Sequence, residues 1–393
     1  MRTAIALTAV LVARAATAEC EGSIGTRLVP LPVYTTEPNE GSTYGAMPVF
    51  LRVCEATERT EAILAPSVTY NDTIHFTGTV RYFGYPSEVE ALTIVASAST
   101  RINSNVLVRW SLLPREPGAF TRQLELRWER SAFYRFFGLG PDTGSADETS
   151  YTRLRVHGNA RGGVNLGRGW NIGLEILAHR DDVQDLGVSG LPLSRRVFPT
   201  APGMGGATTL GEAIDLRYDS RRAGDYSVEG AFADLAIGPV EGLSGSPSFA
   251  RGRLQLRALL PELPFLSFAG RFDASYLSSK SAPFYDQSSL GGSFLLRGFT
   301  ENRFIDQNAW TVEVEQRVRF LQTHFSGVTA DWRIDPFVGI GQVFDSLDHA
   351  LSHPRPVAGV GFRAWVHPNV VGRVDVATGG ERLEVYVEIG YPY

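Results

Sequence analysis

Hydrophobic and polar residues alternate along much of the chain. The pattern is clearest over 310–320 and 383–393, where nearly every second position is apolar and several of the positions between them carry charge. This period of two is that of a β-strand whose faces meet different surroundings. The charged face would point to solvent in a water-soluble sandwich. In a transmembrane barrel it points into the lumen, and the apolar face meets lipid.

Sixteen segments carry the pattern: 59–70, 74–83, 89–99, 103–113, 119–131, 149–163, 167–179, 209–219, 226–237, 248–259, 263–276, 310–320, 330–344, 356–367, 370–377 and 383–393. Most have ten or more residues, which suits tilted spanning strands of ~9–11 residues better than soluble strands of ~5–6. A further segment, 44–53, is ambiguous because Pro48 lies in its middle, and proline is tolerated mainly in edge strands. The sequence predicts an all-β protein, a transmembrane antiparallel β-barrel of about 16 strands.

Short and long connections alternate between these segments. The long ones are 132–148, 180–208, 238–247, 277–307 and 345–355. Outer-membrane barrels have short periplasmic turns and long external loops, so an even number of strands leaves both termini in the periplasm. No apolar run of about 18 residues that would indicate a membrane-spanning helix is present.

The first eighteen residues have the features of a secretory signal. Arg2 precedes an apolar run over 4–13, and Ala16-Thr17-Ala18 provides small residues for cleavage. Residues 19–43 are then expected to form a short periplasmic segment and residues 44–393 the barrel. Export allows a disulfide between Cys20 and Cys54. The alternative is two free thiols, because sequence does not settle their geometry.

The C-terminal strand ends in an aromatic residue, a pattern that the outer-membrane insertion machinery recognises. Tyr393 is preceded on the same apolar face by Tyr391 and Ile389, so these three residues are predicted to form the insertion signal. The alternative is an edge strand of a soluble sheet.

Composition and motifs exclude several function classes. A net charge of −5 and a pI near 5.9 argue against a nucleic-acid partner. No nucleophile elbow and no zinc-protease helix motif is present, so we expect neither an enzyme nor a cofactor. His349 and His353 lie near Asp345 and Asp348. We interpret them as part of a polar loop and predict no metal, because two histidines underdetermine a ligand set.

Three short stretches resemble the bacterial surface antigen family, the BamA/TamA-like outer-membrane barrel superfamily. They are Leu296-Arg297-Gly298-Phe299, Tyr218-Asp219-Ser220-Arg221, and the run from Phe136 to Asp142. The resemblance implies that the first stretch lies at the tip of a long loop folded back inside the barrel. It also implies a bacterial outer-membrane location. The partners would be the lipid bilayer, lipopolysaccharide and the insertion machinery, and we expect a monomer.

The Arg297 element also has a physical logic of its own. Gly298 permits a tight turn, and the permanently charged fork of Arg297 needs an acidic partner inside the lumen. Glu313 and Glu315 are candidates on the polar face of the following strand. The resemblance implies Glu315 as one partner and an aspartate at position 339 as the second. Gly339 stands there, so Asp335, on the same face, is the expected substitute; the alternative for Arg297 is a solvated loop arginine.

Function is less constrained by the sequence than the fold. Family members that assemble or secrete proteins carry periplasmic POTRA domains, and residues 19–43 are too few for an independent domain. A barrel-only protein is therefore expected. It would act as a pore or as a membrane-remodelling barrel with an openable seam between its first and last strands. The alternative is an outer-membrane protein assembly or translocation factor.

Overall fold

The computed structural model describes residues 20, 22–57, 59–188, 190–221, 227–325, 328–366 and 370–389. Within these residues there are twenty-one strands: β1 Ile24–Glu37, β2 Gly41–Cys54, β3 Thr60–Leu64, β4 Ser67–Asn71, β5 His75–Ser87, β6 Glu90–Ser99, β7 Ser104–Leu112, β8 Phe120–Phe136, β9 Thr149–Gly167, β10 Trp170–Gln184, β11 Ala207–Asp219, β12 Gly230–Ser244, β13 Phe249–Leu263, β14 Leu266–Leu277, β15 Ser288–Leu290, β16 Phe304–Asp306, β17 Asn308–Phe325, β18 Val328–Phe344, β19 Arg355–Val366, β20 Val370–Thr378 and β21 Leu383–Ile389. One short helix, α1, covers Ser194–Val197. Among the described residues no helix has the length and apolarity needed to cross a membrane.

All strands except β15 and β16 form one antiparallel sheet, which closes where β1 meets β21. β3 and β4 both pair with β2 and with β5, so they are two parts of one interrupted barrel strand. The prediction of an all-β antiparallel barrel is confirmed, with eighteen barrel strands. The two strands beyond the predicted sixteen are β1 and β2.

The N-terminal hairpin differs most from the sequence expectation. Residues 24–37, expected outside the barrel, form β1 and pair with β2 at fourteen consecutive positions. The ambiguous segment 44–53 lies within β2. Pro30 and Pro32 interrupt the apolar alternation of β1, which explains why the pattern did not reveal a strand there.

Three prolines align across the first barrel strands. Pro30 lies opposite Pro48 in the β1–β2 ladder. The β2 ladder pairs Phe50 with Leu64 and Ala46 with Val68, and this register places Pro48 opposite Pro66. Proline cannot donate to a ladder, so the strand opposite β2 is interrupted at Pro66 and splits into β3 and β4. We call Pro30, Pro48 and Pro66 the proline row.

A covalent bond joins the two ends of the same hairpin. Cys20 and Cys54 form a disulfide, with Cα atoms 5.7 Å apart. Cys54 is the last residue of β2, and Cys20 lies just before β1. The pairing that the sequence allowed is therefore present in the structure.

Successive residues of each strand point alternately to the outer face of the barrel and to its lumen. On β10, Ile172, Leu174 and Ile176 are exposed on the outer face, whereas His179 and Asp181 are buried within the barrel. Because the strands are antiparallel, the connections 137–148, 185–206, 278–307 and 345–354 all lie at one end, the long-loop end. β1 begins and β21 ends at the opposite, short-turn end.

The connection 278–307 folds into the lumen, and we call it the inward loop. β15 and β16 pair within it as a small hairpin. Its apolar residues fill two sides of the barrel interior. Leu296, Phe299 and Phe304 pack with Val343 and Val357 of β18 and β19. On the other side, Phe284 packs with Phe136, Tyr151 and Val183 of β8–β10. Burial against both walls fixes the loop across the lumen.

Candidate functional site in the barrel lumen

The turn at the tip of the inward loop requires glycine. Gly298 has φ of +146°, and a Cβ there would lie 2.8 Å from the carbonyl carbon of Thr378. The amide of Gly379 donates to the Gly298 carbonyl at 2.9 Å, and the Tyr386 hydroxyl donates to the Phe299 carbonyl at 2.8 Å. The backbone of the tip thus lies directly against the β20–β21 hairpin.

This turn directs Arg297 into a set of carboxylates. Its Nη2 lies 2.7 Å from Glu313 Oε1 and 2.9 Å from Glu315 Oε2, and its Nη1 lies 3.4 Å from Asp375 Oδ2. The guanidinium carbon is also 3.7 Å from the centre of the Phe337 ring. Arg297 is fully buried, so it is not a solvated loop arginine.

Other lumen arginines extend the ion pairs. Arg317 Nε lies 2.9 Å from Glu315 Oε1. Arg363 Nη1 lies 2.6 Å from Asp375 Oδ1, and Arg373 Nη1 lies 3.1 Å from Asp375 Oδ2. Four arginines (Arg297, Arg317, Arg363, Arg373) thus face four acids (Glu313, Glu315, Asp335, Asp375), and we call these eight residues the lumen charge cluster. A mixture of both charges suits anchoring more than selection of ions of one sign.

Gly339 and Glu313 explain how the second carboxylate is supplied. Glu313 and Gly339 are register partners on β17 and β18. A Cβ at position 339 would lie 3.2 Å from Glu313 Cγ and 3.1 Å from the Val312 carbonyl oxygen. Glu313, on the opposite strand, supplies a carboxylate beside Arg297, and the absence of a side chain at 339 makes room for it.

Asp335 occupies a different position from the one expected. It is buried and pairs with Arg363, whose Nε lies 3.5 Å from Asp335 Oδ2. The carboxylates paired with Arg297 are those of Glu313, Glu315 and Asp375, so Asp335 does not replace the missing aspartate. Sequence reasoning did not identify Asp375 or Arg363; their only signal is their inward-facing parity on β20 and β19.

A second arginine ties the inward loop to neighbouring connections. Arg303 Nη2 lies 2.7 Å from Glu381 Oε1 and donates to the Thr143 carbonyl at 2.7 Å. In the same connection, 137–148, the amide of Gly140 donates to the Ile305 carbonyl at 2.8 Å. The Phe136–Asp142 stretch, which carried part of the resemblance, therefore contacts the inward loop.

The remaining predicted residues lie elsewhere. Ile389 ends β21, whereas Tyr391 and Tyr393 fall outside the described residues, so their role as an insertion signal stays a prediction. In the 345–354 connection, His349 Nδ1 lies 2.7 Å from Asp345 Oδ1. His353 Nε2 lies 3.4 Å from Asp142 Oδ1.

Comparison with known proteins identifies the family. The Omp85 superfamily domain matches residues 93–371. The chain belongs to the Omp85 superfamily. The resemblance drawn from the three motifs is thereby confirmed, and the chain is an Omp85-type outer-membrane barrel. No curated protein matches it.

Two solved structures share the fold. BamA from Haemophilus ducreyi lacking POTRA domains 1-3 aligns with a TM-score of 0.55 at 15% identity, covering 92% of this chain and 75% of that truncated chain. CdiB from Acinetobacter baumannii aligns with a TM-score of 0.54 at 11% identity, covering 93% of this chain and 65% of CdiB. The Omp85 barrel here thus spans about two thirds of the CdiB structure.

Proposed function

We propose that this Omp85 barrel remodels the outer membrane at the seam between β1 and β21. The observation that carries the proposal is the short pairing of that seam within the part of the chain that the structure describes. Among the described residues, β1 and β21 share a single register pair, Thr36 with Val387. By contrast, β1 shares fourteen pairs with β2, and β20 shares seven with β21. A seam with few ladder hydrogen bonds needs little free energy to open.

The filled lumen favours the seam over an open pore. The inward loop packs against β8–β10 on one side and against β18 and β19 on the other. The lumen charge cluster holds its tip through Arg297. We propose that this contact is a lock that keeps the loop in place while the seam moves.

A disulfide across the seam tests the proposal. The double variant Thr36→Cys/Val387→Cys joins the two register partners under oxidising conditions. The native disulfide already engages Cys20 and Cys54. The protein is folded into liposomes, and transbilayer movement of a fluorescent lipid is followed by extraction of outer-leaflet lipid with albumin. We expect the oxidised seam variant to lose the acceleration of lipid movement that the oxidised unmodified protein shows, because the native disulfide is intact in both.

A matched control crosslinks an extended ladder. Val360 and Val376 are register partners in the β19–β20 ladder, which has nine pairs. Oxidation of Val360→Cys/Val376→Cys should leave lipid movement unchanged. Equal lipid movement for the oxidised seam variant and the oxidised unmodified protein would overturn the proposal.

Two other functions are distinguished by further measurements. A small-solute pore is favoured by a polar lumen cavity of about 370 Å³. A pore predicts a planar-bilayer conductance that is higher in Arg297→Ala and is unchanged by the seam crosslink. A role in protein assembly or translocation predicts faster folding of a second outer-membrane barrel in the same liposomes, again lost on seam oxidation.

The route to the membrane is part of the same proposal. The Arg2 region, the apolar 4–13 run and Ala16-Thr17-Ala18 support export and cleavage after Ala18. N-terminal sequencing of the protein from outer membranes should begin at Glu19. A start at Met1 would contradict cleavage.

A further inference from the structure

A polar cavity remains in the lumen beside the inward loop. Its volume is about 370 Å³, within the ~300–1,000 Å³ range of small-molecule sites. β8–β10 and β13 supply its wall, and Tyr285 and Asp286 of the inward loop supply its remaining side. The lining residues are Glu125, Arg155, His157, Asn159, Glu175, Leu177, His179, Arg251, Arg253, Tyr285 and Asp286.

One acidic group in this cavity is only half satisfied. Asp286 Oδ1 lies 3.1 Å from His179 Nε2 and 3.4 Å from Arg155 Nη2. The side chain is only 9% exposed. Its other oxygen, Oδ2, is buried and has no hydrogen-bond partner among the described residues. The neighbouring Tyr285 hydroxyl is also buried and unpartnered within that part of the chain. An unpaired buried acceptor is costly, so the Asp286 carboxylate has the capacity for a further donor.

One basic side chain in the cavity lacks an acidic partner. Arg251 on β13 lines the same cavity, and within the described residues no ion pair or side-chain hydrogen bond accompanies it. Its neighbour Arg253 is paired with Asp234 at 3.1 Å and with Glu175 at 3.7 Å. The fork of Arg251 is therefore available to a carboxylate, whose geometry it matches.

We propose that this cavity binds a small zwitterion, an α-amino acid. The ligand carboxylate pairs with Arg251, and its ammonium group pairs with the carboxylate of Asp286. The presence of both an unpaired guanidinium and an unpaired carboxylate oxygen favours a ligand with both charges over a simple anion or cation.

A divalent metal fits the same residues poorly. His179, Asp181 and Asp286 place their ligand atoms within 4.8 Å of one another. However, Arg155 Nε lies 2.7 Å from Asp181 Oδ1, and Arg155 Nη2 lies 3.4 Å from Asp286 Oδ1. A guanidinium thus already occupies the place where a cation would compensate the two acids.

The test compares an amino acid with its two halves. L-alanine, propionate (alanine without the ammonium) and ethylammonium (alanine without the carboxylate) are titrated into the full chain folded in detergent. Saturation-transfer difference NMR reports the dissociation constants. We expect alanine to bind at least about tenfold more tightly than either fragment, because hydrogen bonds between charged groups are the strong ones.

Variants assign the two ends of the ligand. Arg251→Gln should weaken alanine and propionate at least about tenfold and leave ethylammonium unchanged. Asp286→Asn should weaken alanine and ethylammonium and leave propionate unchanged. The controls are Arg319→Gln and Asp185→Asn, whose side chains are 32% and 56% exposed and lie outside the cavity lining.

Three results would overturn the proposal. Equal affinities for alanine and propionate would indicate a simple anion site. Equal affinities for alanine and ethylammonium would indicate a cation site. Alanine binding that ignores both Arg251→Gln and Asp286→Asn would place the ligand elsewhere. None of these results bears on seam opening, so the zwitterion site and the proposed remodelling activity stand or fall separately.

Discussion

The first and last strands of the barrel meet at one seam but differ in their buried contacts and in their backbone hydrogen-bond donors. No residue of β1 is buried, and the prolines of the proline row cannot donate to the ladder. On β20, by contrast, the inward-facing Val371, Arg373, Asp375 and Ala377 are all buried. The last strands carry the lumen charge cluster and receive the tip of the inward loop. The first strands receive little from the lumen beyond the contacts of the β1–β2 turn.

This difference indicates which side of the seam moves. A strand with few buried contacts and missing hydrogen bonds opens at a low free energy. β1 fits that description, whereas β21 is tied to the loop tip through Tyr386 and Glu384. We therefore expect seam opening to displace the first strands and leave the last strands in place.

The largest effect should come from removing the central cation of the cluster. Arg297→Ala leaves Glu313, Glu315 and Asp375 without their shared partner. We expect the free energy of unfolding in detergent to fall by ~3–5 kcal/mol, the cost of breaking a buried ion pair. Arg127→Ala is the matched control. Its pairing with Glu129 is 3.4 Å long and part-exposed, so its loss should cost at most ~1 kcal/mol.

A double-mutant cycle separates the interaction between Arg297 and Glu315 from nonspecific destabilisation of the fold. Arg297→Ala and Glu315→Ala should show a coupling energy of ~0.5–3 kcal/mol. A coupling indistinguishable from zero would mean that the two residues do not stabilise one another, and the lock would lose its support.

The relocated carboxylate gives the next largest effect. Glu313→Ala should cost ~1–3 kcal/mol of unfolding free energy by leaving Arg297 short of a partner. Adding Gly339→Asp in that background should recover part of the loss, because Glu313 Cγ, one of the three atoms that crowd position 339, is gone. Gly339→Asp alone should destabilise. Urea unfolding in micelles measures all three variants. If the double variant were no more stable than Glu313→Ala, a carboxylate at position 339 could not take the place of Glu313.

A smaller effect is expected in the first strands. Pro66→Ala restores an N–H opposite Pro48 and should add ~0.5–1.5 kcal/mol if it donates to the ladder. The readout is amide hydrogen exchange, which should slow in β1–β4 and remain unchanged in β17–β21. Slower exchange throughout the barrel would show that the two regions are not independent.

The smallest effect concerns pH at the β1–β2 turn. Burial, reinforced by the carboxylates of Glu37, Glu301 and Glu129, raises the pKa of Glu40 to about 8, and burial raises that of Glu301 to about 7. An acid whose pKa is raised on folding binds more protons when folded, so its contact is stable at low pH and weakens as the pH rises.

Between about pH 5 and 8 we therefore expect the turn to loosen from the inward loop, where Asn39 Nδ2 donates to the Glu301 carbonyl at 3.4 Å. Limited proteolysis within 38–40 should become faster over this range. Glu40→Gln should flatten the profile, and Asp185→Asn should not. A profile identical in Glu40→Gln and the unmodified protein would exclude Glu40 as the origin.

The sequence predicted those parts that depend on local alternation. The period of two identified β17 and β21 and placed Glu313 and Glu315 on the lumen face. Two of the acidic partners of Arg297 could therefore be predicted from one strand. Asp375 could not be predicted, because its approach to Arg297 depends on barrel closure and on the path of the inward loop. β1 was missed because Pro30 and Pro32 break its alternation, although a ladder on β2 accommodates both. The exchange between Gly339 and Glu313 required the β17–β18 register, which no local pattern reveals.

The disulfide has a topological consequence. Together with the chain between them, Cys20 and Cys54 close a covalent ring that contains both β1 and β2. Within this ring β1 cannot be pulled free of β2 from its N-terminal end, because the chain is tied at that point as well as at the turn. An opening barrel must therefore release the hairpin as one flap, with two strands rather than one leaving the wall. Reduction would restore the freedom of the single strand, so the oxidising environment decides how wide the opening has to be.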